Sequence, residues 1–129
     1  MNIITHEIKL DMSMPCANDR VYTFKDDSGA RELSIILTNN KLPYVIPDNT
    51  TVYFFGNVDD DEKIFTDCSY DGNVVAVPVT RSMTYRGATV GQLKIIFPNG
   101  DTVTTPPVTI INTEGISIED ELRISHDMN

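Results

Sequence analysis

The chain has 129 residues, a length typical of one domain, and its 40% hydrophobic and 22% charged residues are typical of a folded globular protein. It carries 19 acidic and 10 basic residues, a formal net charge of −9, and the basic residues are scattered singly, so we expect neither nucleic acid nor an acidic lipid surface as a partner. No run of ~20 apolar residues and no signal-peptide layout is present, so we expect no membrane insertion.

The N-terminal third of the sequence predicts three β-strands. Apolar residues at alternate positions, or short β-branched runs, indicate strands over residues 4–10, 20–25 and 33–38. The third strand is followed by Asn39 and Asn40, a residue type that tolerates left-handed turn geometry. The first strand has one exception to the alternation and is expected to bury one face.

The middle of the sequence continues the β pattern. Residues 44–46 form a short extended piece, and residues 51–56 (TVYFFG) predict a buried strand. Strands over residues 62–70 and 73–79 flank Asp71-Gly72, which is a hairpin signal of the primed-turn type. These segments bring the number of predicted strands to seven.

The last predicted elements are a helical turn and a second hairpin. Residues 80–85 (TRSMTY) predict one helical turn, and strands over residues 92–97 and 101–111 flank the turn signal Asn99-Gly100. About nine strands separated by turn signals predict an all-β fold, either an antiparallel β-sandwich or a barrel.

The composition changes at Glu114, after which acidic residues dominate. We predict that residues 1–113 form the folded domain and that residues 114–129 form an acidic C-terminal tail or connector. The apolar residues of the tail have spacings of two, four and two, which fit neither a helix nor a strand over their full length. Disorder and a docking role are both open. In a docking role the partner-binding residues are Ile116, Ile118, Leu122 and Ile124.

No sequence motif indicates catalysis, a cofactor or a metal. His6 and His126 are the only histidines and lie at opposite ends of the chain. Cys16 and Cys68 lack metal-ligand spacing and are predicted to be reduced and mostly buried, with a disulfide bridge as the alternative. The acidic run 59–62 lacks the spaced register of a calcium loop and predicts a solvated turn. We therefore expect no catalytic residues, no cofactor and no metal site.

Ten aromatic residues and no tryptophan are present, and core packing is predicted to explain most of those that lie in strands. An aromatic platform for a ligand is the alternative. Alternation places Tyr22 and Phe24 on one side of their strand and Val21 and Thr23 on the other. The aromatic residues of the predicted strands are Tyr22, Phe24, Tyr53, Phe54, Phe55 and Phe97.

Several segments follow one another in a characteristic order from Arg31 onward. They include residues 32–37 (ELSIIL), 42–47 (LPYVIP), 50–56 (TTVYFFG) and 64–68 (IFTDC), followed by the strands and turns between residues 74 and 111. In this order, residues 20–112 resemble the N-terminal domain of bacteriophage baseplate upper proteins. The motifs are packing and turn patterns, so no site residue is carried over. The resemblance implies an immunoglobulin-like β-sandwich that anchors a fibre or receptor-binding assembly to the tail of a virus particle.

The leading functional hypothesis is a virion structural protein, a connector or anchor in a phage tail baseplate. Its expected partners are other virion structural proteins and further copies of itself, and its expected location is the virion, with host cytoplasm during assembly. One alternative is a head decoration or head-fibre anchoring protein. Another is a small acidic inhibitor of a host nucleic-acid-binding defence protein, which the net charge of −9 suggests. An enzyme is not expected, because no pair of carboxylates stands out.

Overall fold

Two β-sheets pack face to face in the computed structural model, which describes residues 2–14, 19–58 and 62–114. This arrangement confirms the predicted all-β sandwich. The described elements in chain order are β1 (Ile4–Asp11), β2 (Asp19–Phe24), β3 (Arg31–Asn39), β4 (Leu42–Pro43), β5 (Thr51–Val58), β6 (Glu62–Asp67), β7 (Ser69–Asp71), β8 (Val74–Pro78), α1 (Arg81–Thr84), β9 (Ala88–Ile96), β10 (Thr102–Thr104) and β11 (Val108–Thr113).

The five-stranded sheet has the order β1-β3-β8-β7, with β4 paired to β3. The six-stranded sheet has the order β2-β11-β9-β5-β6, with β10 paired to β9. The two N-terminal strands lie in different sheets, and each pairs in parallel with a later strand, β1 with β3 and β2 with β11. The other pairings between described strands are antiparallel. Turn signals did not predict the parallel pairs, because a turn reports only on strands that it connects directly.

Two of the predicted strands are each divided in the structure. Residues 62–70 form β6 in one sheet and β7 in the other, and the chain crosses between the sheets at Cys68. Residues 101–111 form β10 and β11, with the break at Thr105 to Pro107, where the prolines lack the N–H that a ladder requires. The piece predicted at 44–46 is not a strand, and β4 lies directly before it. These divisions give eleven described strands where the sequence predicted about nine.

Backbone sterics explain the turns. Asn40 and Lys41, between β3 and β4, have positive φ angles of 52° and 71°, as a two-residue primed turn requires. Gly72 has a φ of 62° in the β7–β8 turn, and Gly100 has a φ of 94° in the β9–β10 turn. Both predicted hairpins are therefore present, and the short helix α1 lies within the predicted helical turn.

The hydrophobic core lies between the two sheets. Its largest side chain is Phe54 on β5, which is fully buried together with Leu33 and Ile35 on β3. The ring of Phe54 lies against the backbone of Gly91, where an added Cβ would be 2.2 Å from the ring atom Cζ. Gly91 is therefore required by close packing.

Candidate interaction surface

The outer face of the six-stranded sheet exposes aromatic side chains from the edge strand β2. Val21 and Thr23 point into the core and are buried, so Tyr22 and Phe24 point outward and are 58% and 48% exposed. Strand register aligns the outward residues of the neighbouring strands with them, since side chains alternate strictly along a strand. We call this surface the aromatic face. Its aromatic and larger aliphatic members are Tyr22, Phe24, Tyr53, Phe55, Phe65, Val90, Ile96 and Ile111.

Three rings form a cluster at the β5–β6 end of the aromatic face. Phe55 on β5 lies directly opposite Phe65 on the edge strand β6. The side chain of Phe65 is 69% exposed. The ring of Tyr53 lies 5.3 Å from that of Phe65 and 6.3 Å from that of Phe55, measured between centroids, and both contacts are edge-to-face. This geometry is favourable for aromatic pairs, so the rings support one another at the surface.

A cavity of about 450 Å³ adjoins the ring cluster. Phe55, Phe65 and Val90 contribute apolar walls, while Lys63 and Gln92 contribute polar ones. The facing pair Gly56 and Gly91, whose backbones approach closely between β5 and β9, also lines the cavity. The cavity is large enough for an apolar side chain and offers a cation and an amide beside it.

The aromatic face is basic, although the chain as a whole is acidic. Among the described residues that strand register places on this face, the charged ones are Arg20, Lys63, Lys94 and Asp67. The outer face of the five-stranded sheet has the opposite balance, and its charged residues by the same criterion are Glu7, Lys9, Asp11, Glu32 and Asp71. The two faces of the sandwich therefore differ both in charge and in aromatic content.

The prediction that core packing explains most of the strand aromatics is wrong for Tyr22, Phe24, Tyr53 and Phe55. Phe54 is the only one of the ten aromatic residues that is fully buried, and all ten lie within the described ranges. The alternating pattern correctly separates the two sides of a strand, but it does not say which side faces the core. In β2 the smaller residues Val21 and Thr23 face inward and the two aromatic residues face outward.

The predicted docking residues Ile116, Ile118, Leu122 and Ile124 lie outside the described residues, as do Cys16, His126 and the acidic residues 59–61. Cys68 is a free, half-buried thiol. Burial raises the pKa of Cys68 to about 12, so little thiolate is present at neutral pH. This thiol has a packing role and is not poised as a nucleophile.

His6 takes part in a structural contact at the edge of the sandwich. Arg31 Nη1 lies 3.0 Å from His6 Nε2, and Arg31 Nε donates a hydrogen bond of 2.7 Å to Asp27 Oδ2. Partial burial, followed by the charge of Arg31, lowers the pKa of His6. Within the described ranges no three His, Cys, Asp or Glu side chains are grouped to hold a metal ion, and no helix is long and apolar enough to cross a membrane.

Comparison with solved structures identifies a close likeness in fold. The N-terminal domain of phage TP901-1 ORF48 matches 85% of this chain and 98% of its own length, with a TM-score of 0.61 and 12% sequence identity. The two chains share a fold. No protein-family model and no curated protein matches the sequence. The likeness to the ORF48 domain therefore concerns the arrangement of strands.

Proposed function

We propose that the protein is a virion structural protein, a β-sandwich connector or anchor in a phage tail baseplate that attaches a fibre or receptor-binding assembly. The observation that carries this proposal is the match to 98% of the ORF48 N-terminal domain, which is a domain of a phage protein. The order of motifs in residues 20–112 suggests the same role, because it resembles that of baseplate upper proteins. Fold likeness alone does not determine function, so the two observations are needed together.

The surface of the sandwich is consistent with a binding role. A contiguous exposed apolar patch on a folded domain is typical of a protein-protein contact, and aromatic residues are enriched at the centres of such contacts. The aromatic face provides exposed aromatic and aliphatic side chains, with Tyr22, Phe65 and Val90 at 58%, 69% and 43% exposure. We infer that other virion structural proteins and further copies of the chain are the partners.

Localisation in purified particles tests the proposal. Mass spectrometry of particles of the phage that carries the gene measures the copy number, and antibody labelling viewed by electron microscopy gives the position. Label at the tail tip is the expected result. Label on the head would instead favour a head decoration or head-fibre anchoring protein. Presence in infected cells together with absence from particles would overturn a virion role.

The acidic inhibitor is the remaining alternative, and the salt dependence of binding separates it from the proposal. The net charge of −9 is the feature that suggests it. A mimic of nucleic acid binds mainly through charge, so it loses affinity steeply as added salt screens the charges. Host proteins that are retained at low salt and released at high salt would support inhibition. Capture of virion proteins at both salt concentrations would support the structural role.

A further inference from the structure

We propose that the aromatic face binds the acidic C-terminal segment, residues 115–129, of a second copy of the chain. The proposal concerns the purified protein and holds whether or not the protein is part of a particle. It names the surface and the segment through which two copies of the chain associate.

The apolar residues of the segment suit an exposed sheet face. All four occupy even-numbered positions, so an extended chain points them to one side. Asp120 lies on that side between the two pairs and interrupts the apolar alternation over the full length of the segment. An extended segment of this kind presents an apolar stripe about as long as a strand of the sandwich. The four residues are Ile116, Ile118, Leu122 and Ile124.

Charge determines which face of the sandwich the segment prefers. Residues 115–129 contain four acidic residues and one basic residue. The aromatic face carries three cations and one carboxylate, whereas the outer face of the five-stranded sheet carries four carboxylates and one cation. Attraction to the first face and repulsion from the second direct an acidic segment to the aromatic face.

The cavity beside the ring cluster provides an anchor point. Its volume of about 450 Å³ accommodates a leucine or isoleucine side chain between Phe65 and Val90. Lys63 lines the same cavity. Its long, flexible side chain is able to pair with a carboxylate of the bound segment while its methylene stem packs on apolar surface. An apolar anchor with a carboxylate two positions away, on the same side of an extended chain, fits this combination, and Leu122 and Asp120 are such a pair.

The path of the chain favours a second copy over the chain's own segment. β11 ends at Thr113, beside Phe24, whereas Phe65 lies three strands away and toward the other end of the sheet. Strand dimensions put Thr113 and Phe65 about 25 Å apart. The chain's own segment would have to reverse directly after Glu114, and Ile116 and Ile118 would lie in that reversal. A segment from another copy does not need this reversal, so all four of its apolar residues contact the aromatic face.

Point variants of the full-length chain test the contact. We expect wild-type protein to dimerise with increasing concentration in sedimentation equilibrium. Phe65→Ser on the face, and Leu122→Ser combined with Ile124→Ser in the segment, are each expected to weaken dimerisation at least tenfold. Leu42→Ser is the matched control, because Leu42 is 70% exposed but belongs to the other sheet. Wild-type protein that is monomeric at all concentrations would overturn the proposal, as would equal effects of Phe65→Ser and Leu42→Ser.

Mixing the two kinds of variant distinguishes exchange between copies from binding within one chain. The face variant retains an intact segment and the segment variant retains an intact face, so a mixture forms a heterodimer through one contact. We expect this heterodimer to be weaker than the wild-type dimer and stronger than either variant alone. A mixture that remains monomeric would show that the segment does not bind across copies.

Charge reversal tests the electrostatic part of the proposal. Lys63→Glu is expected to weaken dimerisation severalfold, and Asp120→Lys in the same chain is expected to restore it. Circular dichroism of every variant establishes that the fold is retained. Failure of Asp120→Lys to restore dimerisation in folded protein would overturn the charge pairing.

Discussion

The side chain of Asn112 on β11 accepts a hydrogen bond at Oδ1 from the hydroxyl group of Thr23 on β2, the strand parallel to it. Its Nδ2 donates hydrogen bonds of 2.8 Å to the backbone carbonyl oxygens of Met83 and Arg86. Asn112 and Thr23 are buried, at 6% and 1% exposure. The Asn112 side chain on β11 therefore holds both the edge strand β2 and the segment around α1.

Asn112→Ala is expected to lower the free energy of unfolding by about 3 kcal/mol. The substitution leaves the Thr23 hydroxyl and two backbone carbonyls without this partner, and an unsatisfied buried polar group costs about 1–3 kcal/mol. Guanidinium unfolding curves provide the measurement. Asn57→Ala is the control, because Asn57 is exposed on β5. Equal destabilisation by the two substitutions would contradict the assigned role of Asn112.

Gly91→Ala is expected to destabilise the protein by about 1–3 kcal/mol, the usual cost of an overpacked core. The new Cβ would lie 2.2 Å from the Phe54 ring. Gly87→Ala is the matched control, since an added Cβ there has no heavy atom within 4 Å. The double variant Gly91→Ala with Phe54→Leu should lose less unfolding free energy than the two single variants lose in sum, because leucine leaves room for the new Cβ. Strict additivity in this double-mutant cycle would argue against the contact.

The carboxylate of Asp11 stabilises the β3–β4 turn, and this contribution depends on pH. It accepts hydrogen bonds from the Ser13 side chain and backbone, from Lys41 N at 2.9 Å and from Asn40 N at 3.1 Å. These bonds hold the pKa of Asp11 well below its ordinary value. A lowered pKa in the folded state stabilises the protein above the ordinary value of about 3.9, and the stabilisation is lost as pH falls below it.

We expect wild-type protein to have a higher Tm than Asp11→Asn near neutral pH, and we expect the difference to shrink steadily below about pH 4. Thermal unfolding followed by circular dichroism at a series of pH values provides the measurement. Asp48→Asn serves as a control for loss of an exposed surface carboxylate. A Tm difference that is independent of pH would refute the role of the Asp11 charge.

Cys68 is expected to resist alkylation in the native state. Its pKa of about 12 leaves little thiolate for the reaction, and partial burial restricts access. In a Cys16→Ser background, iodoacetamide should modify Cys68 at least tenfold more slowly in native protein than in guanidinium. Mass spectrometry over time measures both rates. Equal rates in the two conditions would show that the thiol is accessible and ionised normally.

Local chemistry made much of the fold predictable. The turns at Asn40, Gly72 and Gly100 were predictable because only a few residue types adopt positive φ without strain. The β class followed from alternating and β-branched segments, and the break near Pro106 follows from the missing N–H of proline. Each of these features depends on residues within a few positions of one another.

The aromatic face was not predictable in this way, and the strand β2 shows why. Hydrophobicity alone favours burying Tyr22 and Phe24, yet Val21 and Thr23 are the buried pair. Thr23 is buried next to Asn112, its hydrogen-bond partner 89 residues away in the chain. The positions of most strands and turns follow from neighbouring residues, because backbone sterics are local. Which side of each strand faces the core is set in the folded protein, because it depends on the volume and polar partners supplied by distant strands.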